Sequence, residues 1–307
     1  MRRGSSATFR SHAVGEYTHR KSVHVCPGEQ EWKIGAPSVV GVSVPEPDDH
    51  ALAADLAERA GKLLLDLRAR GGDPDSLRNA GDRQSHEFLM AELAAARPGD
   101  AVLSEEGIDD KARLAADRVW IVDPLDGTRE FGEPGRPDWA VHVALWARDA
   151  SADGGELVAG AVALPAQDRV LATEPGPGGG GPQLARAEEG AQRPLRLVVS
   201  RTRASDLVKD VAARLNADLV PCGSAGAKVA TVVLGENDVY LHSGGFYEWD
   251  TAAPVAVAGQ RGFHVSRIDG SRVVYNREDP LLPDILECRP AIADLLLNAI
   301  REAQHAI

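Results

Sequence analysis

The run Val119-Trp120-Ile121-Val122-Asp123-Pro124-Leu125-Asp126-Gly127-Thr128 constrains this chain more than any other segment. Four large apolar residues in succession read as a buried strand, and a buried strand that ends on Asp123 delivers a carboxylate to the edge of a core. Pro124 stiffens the turn, Asp126 brings a second carboxylate back across it, and Gly127-Thr128 can open a helix. Two carboxylates around a rigid turn can clamp a hard cation, with the Leu125 carbonyl between them as a third oxygen ligand. Helix-opening amides at Gly127 and Thr128 would face a phosphate bound to the same cation.

Acidic residues crowd elsewhere too. Glu105 and Glu106 follow the short run 101–104, and Asp250 follows Trp249 at a strand-to-helix junction. Converging carboxylates repel and raise each other's pKa, so the set makes sense once divalent ions neutralise it, and Mg²⁺ suits an all-oxygen donor set. Taken singly, each piece has a plainer reading. Glu105-Glu106 reads as a solvated turn, Asp250 and Asp82 as helix N-caps, and the Asp-x-x-Asp-Gly run as a tight turn. The alternating ligands and closing Glu of an EF-hand are missing. Only the combination points to a metal site.

Composition bounds the rest. The 307 residues are 43% hydrophobic, enough for one large domain or two packed smaller ones. A net charge of −12 argues against a nucleic-acid polymer or an anionic membrane as partner. No apolar stretch is long enough to cross a bilayer, and the first residues have no apolar core of the secretory kind. Cys26, Cys222 and Cys288 are odd in number and far apart, which indicates neither a disulfide framework nor a zinc cluster and fits a reducing cytoplasm. Residues 1–45 carry six basic and three acidic side chains, leaving 28 basic against 43 acidic on the remainder. This stretch reads as a disordered tail. Arg outnumbers Lys 28 to 6, as in GC-rich coding sequence, and Val42 or Val44 is the expected first residue.

Periodicity predicts helices over 51–70, with Leu52, Leu56, Ala60, Leu63 and Leu67 as its apolar stripe, and over 82–97, with Phe88, Leu89 and Leu93 inward. Short β-branched or aromatic runs predict strands at 101–104, 118–122, 139–147, 157–164 and 169–173. The Gly- and Pro-rich stretch 174–194 reads as a linker. Beyond it, strands at 195–200, 218–222 and 238–243 alternate with helices near 204–216 and 224–234. A helix after Asp250, a hairpin of 263–268 with 272–276 around Asp269-Gly270, and a last helix over 290–304 burying Ile292, Leu295, Leu296 and Ile300 complete the reading.

Ser104-Glu105-Glu106, the run 120–131 and Trp249-Asp250-Thr251-Ala252-Ala253-Pro254, in this order and spacing, resemble the inositol monophosphatase superfamily of Mg²⁺-dependent, Li⁺-sensitive phosphatases. The six residues 123–128 alone should occur by chance in on the order of 10⁻⁴ of chains this long. The likeness spans about 49–289. Runs 199–203, 223–228 and 248–254 are most similar to the CysQ-type 3′-phosphoadenosine-5′-phosphate phosphatases, especially the actinobacterial group. The resemblance implies a layered αβαβα sandwich, α+β over 46–190 and α/β over 191–307, with the metals in the cleft between them.

Residue by residue, Glu105 resembles the metal-bound glutamate that orients the attacking water. Asp123 resembles the carboxylate shared by two Mg²⁺ ions, Leu125 the carbonyl ligand, and Asp126 and Asp250 the remaining ligands of the second ion. Thr128 resembles the hydroxyl that holds the water with Glu105, and Asp82 the aspartate that polarises it. The family reaches that aspartate through Thr-x-Ala-Asp with a Lys upstream, whereas this chain has Leu77-Arg78-Asn79-Ala80-Gly81-Asp82. Ser200, Arg201, Gly223, Ser224 and Lys228 match segments lining the nucleotide pocket, alongside Glu105, Leu125, Asp126, Gly127, Thr128 and Asp250. Arg201 reads equally as a strand-end arginine and Lys228 as an exposed helix lysine. Trp139 or Tyr247 could offer a base-stacking face, and His86, His142, His242 and His264 read as ordinary histidines.

The implied enzyme is a cytoplasmic phosphoric monoester hydrolase using two or three Mg²⁺ ions. Its substrate would be the 3′-phosphate of adenosine 3′,5′-bisphosphate, or its sulfated form, in sulfate assimilation and nucleotide recycling. Inositol-1-phosphate and fructose-1,6-bisphosphate are the alternative substrates. A non-catalytic Mg²⁺- or nucleotide-binding regulator is the rival of another class, and a homodimer is the assembly to consider.

Overall fold

The computed structural model describes residues 48–149, 154–176, 193–202 and 204–305. The tail with its proposed start, the boundaries at 45/46 and 190/191, and most of the linker lie outside them.

Two helices open the described chain. α1 (Asp49–Ala69) starts where the Asp48 side chain accepts from the Ala51 amide at 2.7 Å, and it buries Leu52, Leu56, Ala60 and Leu64 on one stripe. α2 (Pro74–Ala96) starts eight residues earlier than the sequence predicts. Asp73 caps it at Ser76, and Pro74 occupies the first turn, where its missing N–H costs nothing. Asp82 is therefore a mid-helix residue. Gly81 beside it is required by packing. A Cβ there would lie 2.8 Å from Leu125 and 2.9 Å from Phe131.

The first sheet has the order β1 (Ala101–Ser104), β2 (Arg118–Asp126), β3 (Ala140–Ala147), β4 (Glu156–Leu164), β5 (Arg169–Ala172). β1 runs parallel to β2, and the other pairs are antiparallel. β2 does not stop at Val122. It continues to Asp126 through an irregularity between Asp123 and Asp126, where Pro124 has no amide to give the ladder. α3 (Thr128–Gly132) follows at once.

The second sheet comprises β6 (Arg196–Ser200), β7 (Asp218–Cys222), β8 (Val239–Tyr247), β9 (His264–Ser266) and β10 (Leu281–Cys288), in the order β7-β6-β8-β10-β9. β6 is parallel to both neighbours, while β8-β10 and β10-β9 are antiparallel. The expected hairpin of 263–268 with 272–276 is absent. The turn at Asp269-Gly270 forms, with the Arg267 amide donating to Ser271 O at 2.8 Å, but β9 pairs with β10. Arg267 grips Asp284 of β10 at 2.6 and 2.8 Å, which fixes that choice. β10 escapes sequence reading because Pro283 interrupts it, and the register shifts there between Leu282 and Asp284.

The remaining helices are α4 (Asp206–Arg214), α5 (Ala225–Val233), α6 (Glu248–Gln260) and α7 (Ala293–His305). Side-chain alternation sorts the elements into layers. On β2, Trp120 and Val122 pack with α1 and α2, while Ile121 faces α5 and α6. On β6 and β8, Val198 and Tyr240 face that same middle layer, and Leu197, Val199, Val239 and Leu241 face α4 and α7. The order is helices, sheet, helices, sheet, helices, the αβαβα sandwich that the resemblance implies. In α7 the buried stripe is Ala293, Leu296, Ala299, Ile300 and Ala303. Leu295, expected inside, is 49% exposed, and Ile292 belongs to the 3₁₀ turn before the helix.

Glu287 breaks the apolar rule of the middle layer. It is fully buried between Tyr240 and Val265 on the flanking strands, neither carboxylate oxygen has a partner among the described residues, and burial pushes its pKa far above the usual range. A raised acid is protonated in the fold and ionised in the unfolded chain, so its contribution is present below about pH 4 and is lost as pH rises. Thermal melts of wild type and Glu287→Gln should therefore diverge with pH. The variant should gain about 1.4 kcal/mol per pH unit above pH 5, and parallel curves from pH 5 to 8 would refute the assignment.

Candidate active site

Three carboxylates meet where the C-terminal end of β2 faces the start of α6. Oxygens of Asp123, Asp126 and Asp250 lie within 4.8 Å of one another, and Asp123 and Asp126 are buried. Each is aimed by a backbone amide. Asp123 Oδ1 accepts from Leu125 N at 3.0 Å, Asp126 Oδ2 from Gly226 N at 2.8 Å, and Asp250 Oδ2 from Tyr247 N at 2.6 Å. Asp250 sits at the third position of α6, where its bond to Tyr247 N is half of a capping box. Glu105, just past β1, is tied by its amide to Val122 O at 3.3 Å and lines the same cavity.

Electrostatics marks the cluster as incomplete. Burial, then Asp250, pushes the Glu105 carboxyl up to about 7. Burial, then Asp126, pushes Asp250 up to about 6. Burial and then Glu105 raise Asp123 well above the carboxylate range. Asp126 goes the other way. Burial opposes its ionisation, but His142, Lys228 and the Gly226 amide outweigh it and hold Asp126 low. A cluster of oxygen donors that repel one another in a partly closed site is what a hard divalent cation relieves.

The cavity these residues line measures about 380 Å³. Leu125, Gly127, Thr128, Ser200, Arg201, Gly223, Ser224 and Lys228 line it too, so every expected site residue except Asp82 reaches its wall. Asp82 stands one step behind. Thr128 Oγ1 lies 3.2 Å from Asp82 Oδ1 and 3.0 Å from the Leu125 carbonyl, and burial, then Glu106, raises Asp82 to about 6. Ser85, one turn along α2, donates to Pro124 O at 2.7 Å and pins the loop to that helix.

The cationic side differs from expectation. Lys228 is no exposed helix lysine. It is 4% exposed, donates to Gly223 O and, at 2.9 Å, to Ser224 O, and lies over the Tyr240 ring. Burial lowers its pKa. Arg201 is already paired, to Glu130 at 2.9 Å and to Glu133 at 3.0 and 3.1 Å. Neither expected stacking face lines the cavity. Trp139 is fully buried edge-on to Phe131, and Tyr247 stacks on Trp249. The aromatic wall is formed by Tyr240, His242 and Phe246.

Sequence reading passed over His142 as an ordinary strand histidine. Fully buried, it places Nε2 3.2 Å from Asp126 Oδ2, within ion-pair distance though not aligned for a hydrogen bond, while Nδ1 faces Trp249 O at 3.1 Å. Its signal was a lone polar residue in the otherwise apolar β3. Arg129, Glu130, Thr202 and Phe246 carried no comparable mark.

The inositol monophosphatase family model matches residues 51–305. The chain belongs to the inositol monophosphatase family. It is accordingly a phosphatase, a phosphoric monoester hydrolase. A Mycobacterium leprae protein named 3′-phosphoadenosine 5′-phosphate phosphatase is 50% identical over 260 residues, covering 83% of this chain and 94% of that protein. Among solved structures, CysQ from Bacteroides thetaiotaomicron, described as a bacterial member of this family, superposes with a TM-score of 0.64 at 30% identity, over 78% of this chain and 96% of that one. Inositol monophosphatase II from Staphylococcus aureus shares the fold, with a TM-score of 0.68 at 20% identity over 82% and 94%. Among the described residues no helix is long and apolar enough to cross a membrane.

The family's acidic cluster carries a cost in the absence of metal. Glu105 and Asp250 favour protons in the fold, so the stability they contribute in acid is lost as pH rises through about 6 to 7. In a chelator at pH 8, Asp123→Asn should melt higher than wild type by an increment worth at least about 1.4 kcal/mol, one pK unit. Mg²⁺ should raise the wild type more than the variant. A variant that melts lower than wild type in chelator would overturn this account.

Proposed function

We propose that this phosphatase hydrolyses the 3′-phosphate of adenosine 3′,5′-bisphosphate, or of its sulfated form, to release inorganic phosphate. From the bisphosphate the other product is AMP. The observation that carries the reading is the 50% identity to a 3′-phosphoadenosine 5′-phosphate phosphatase across nearly its whole length. The cavity supports it, because carboxylates that could hold metal ions and the cations Arg129, Arg201 and Lys228 line the same space. We take the reaction to be cytoplasmic, in recycling the nucleotide left by sulfate assimilation. The free thiols of Cys222 and Cys288 agree with that.

Two or three Mg²⁺ ions fit the oxygen donors. Glu105, Asp123 and the Leu125 carbonyl would hold one, and Asp123, Asp126 and Asp250 another. Bound there, they supply Lewis-acid charge to the phosphate and acidify a water. The chain's own groups supply position. Thr128 has one hydroxyl proton, and with Asp82 taking it the oxygen is left to accept from the attacking water. Glu105 accepts the other water proton, which aims the water lone pair at phosphorus in line with the leaving 3′-oxygen. His142 and Lys228 keep Asp126 ionised, and Gly226 N fixes its carboxylate. No Cys or Ser nucleophile is needed.

Asp123→Asn should lower kcat by about 10³-fold as a lost bridging ligand, and activity within about tenfold of wild type would refute the role. Thr128→Ser should keep most of the rate, whereas Thr128→Val should lose about 10²-fold or more, since only the former retains the oxygen that accepts from water. Phosphate release from equal concentrations of adenosine 3′,5′-bisphosphate, inositol-1-phosphate and fructose-1,6-bisphosphate tests the substrate. A tenfold preference for inositol-1-phosphate overturns this choice.

A further inference from the structure

Among the described residues three cations line the cavity, and two of them are already committed. Arg201 shares its guanidinium between Glu130 and Glu133, so that trio has two carboxylates for one positive charge. A phosphate must compete with those carboxylates for the donors of Arg201. Lys228 is buried, with its ammonium donating to Gly223 O and Ser224 O and its charge facing Asp126. It holds the acidic pole together from behind.

Arg129 differs from both. It stands on α3, three residues after Asp126, exposed on the cavity wall, and among the described residues it has no ion pair. Its one hydrogen bond runs from Nη1 to Thr202 Oγ1 at 3.3 Å, a long contact to a neutral group that joins α3 to the loop after β6. Glu133 is close enough to feel it, but hydrogen bonds from Arg201 come first in holding that carboxyl low. A planar guanidinium with free donors beside a hydroxyl is a fitting partner for a phosphate dianion, which replaces the weak Thr202 contact at little cost.

Resting on the bisphosphate reading above, we infer that Arg129, with Thr202 beside it, binds the phosphate that is not cleaved and so selects nucleoside bisphosphates over monophosphates. Charge placement gives the reason. The cleaved phosphate lies at the metal pole, and Arg129 is the uncompensated positive charge left at the rim for the second.

The experiment compares kcat and KM of wild type, Arg129→Gln and Arg129→Lys on adenosine 3′,5′-bisphosphate and on adenosine 3′-monophosphate, with melting curves to establish folding. Wild type should prefer the bisphosphate. Arg129→Gln should raise KM for it by about tenfold or more, with kcat far less affected, and so narrow the preference between the two nucleotides. Arg129→Lys should recover part of the lost affinity. A wild-type preference that survives intact in Arg129→Gln overturns the assignment and leaves the substrate reading standing. Equal kcat/KM of the wild type on the two nucleotides overturns the substrate reading itself, and this assignment with it.

Discussion

Mutual repulsion among buried carboxylates is the constraint around which this molecule is arranged. Asp123, Asp126 and Asp250 bring oxygens within 4.8 Å in a partly closed site. Like charges so placed drift apart unless the backbone holds them, and here each accepts an amide from a rigid neighbour. The fold therefore builds the repulsion in ahead of any ligand. That is preorganisation in its electrostatic sense: the energy is stored in the folded state and becomes available for binding a cation.

Holding Asp126 ionised requires positive charge behind it, and positive charge in a core is costly unless it is paired. The structure meets the need from two elements. His142 comes from the middle of β3 and Lys228 from the second turn of α5. Close approach makes this possible. A Cβ on Gly226 would lie 2.1 Å from His142 Nε2, so only glycine lets α5 come near enough for its amide to reach Asp126. The central helices are thereby part of the site as well as the packing between the sheets. A side chain at position 226 would displace His142 and with it the charge that faces Asp126.

What could be read in the sequence divides along physical lines. The convergence of Asp123, Asp126, Asp250 and Glu105 was legible only from their combination, since each alone reads as a turn or a helix cap. The layers were expected from the resemblance, and the alternation of side chains along β2, β6 and β8 is how the structure realises them. β10 was not legible, because Pro283 looks like a breaker until the register shift that accommodates it is seen. The start of α2 was misplaced because Asp82 reads as an N-cap, whereas Asp73 holds that role and the missing side chain of Gly81 admits Leu125 and Phe131 inside the helix. Arg201 and Trp139 were assigned by residue type. Their partners, Glu130 and Glu133 for one and Phe131 for the other, come from α3 and from packing that no spacing rule encodes.

The net charge of −12 at first argues against an anionic ligand, and the structure locates the resolution. Most arginines near the cavity are spent on carboxylates: Arg201 on Glu130 and Glu133, and Arg136 on Asp138. A protein that neutralises its own arginines does not draw phosphates to its surface at large. Affinity for an anion must then come from the few places where the balance is broken. One is the carboxylate cluster, whose excess negative charge becomes a positive site once divalent cations fill it. The other is the wall at Arg129, whose guanidinium bonds a hydroxyl and, among the described residues, forms no ion pair. A ligand with a single phosphate can use only the first place. Two phosphates on one small molecule can use both, so the selectivity proposed here for a doubly phosphorylated substrate rests on how sparingly the positive charge is left free.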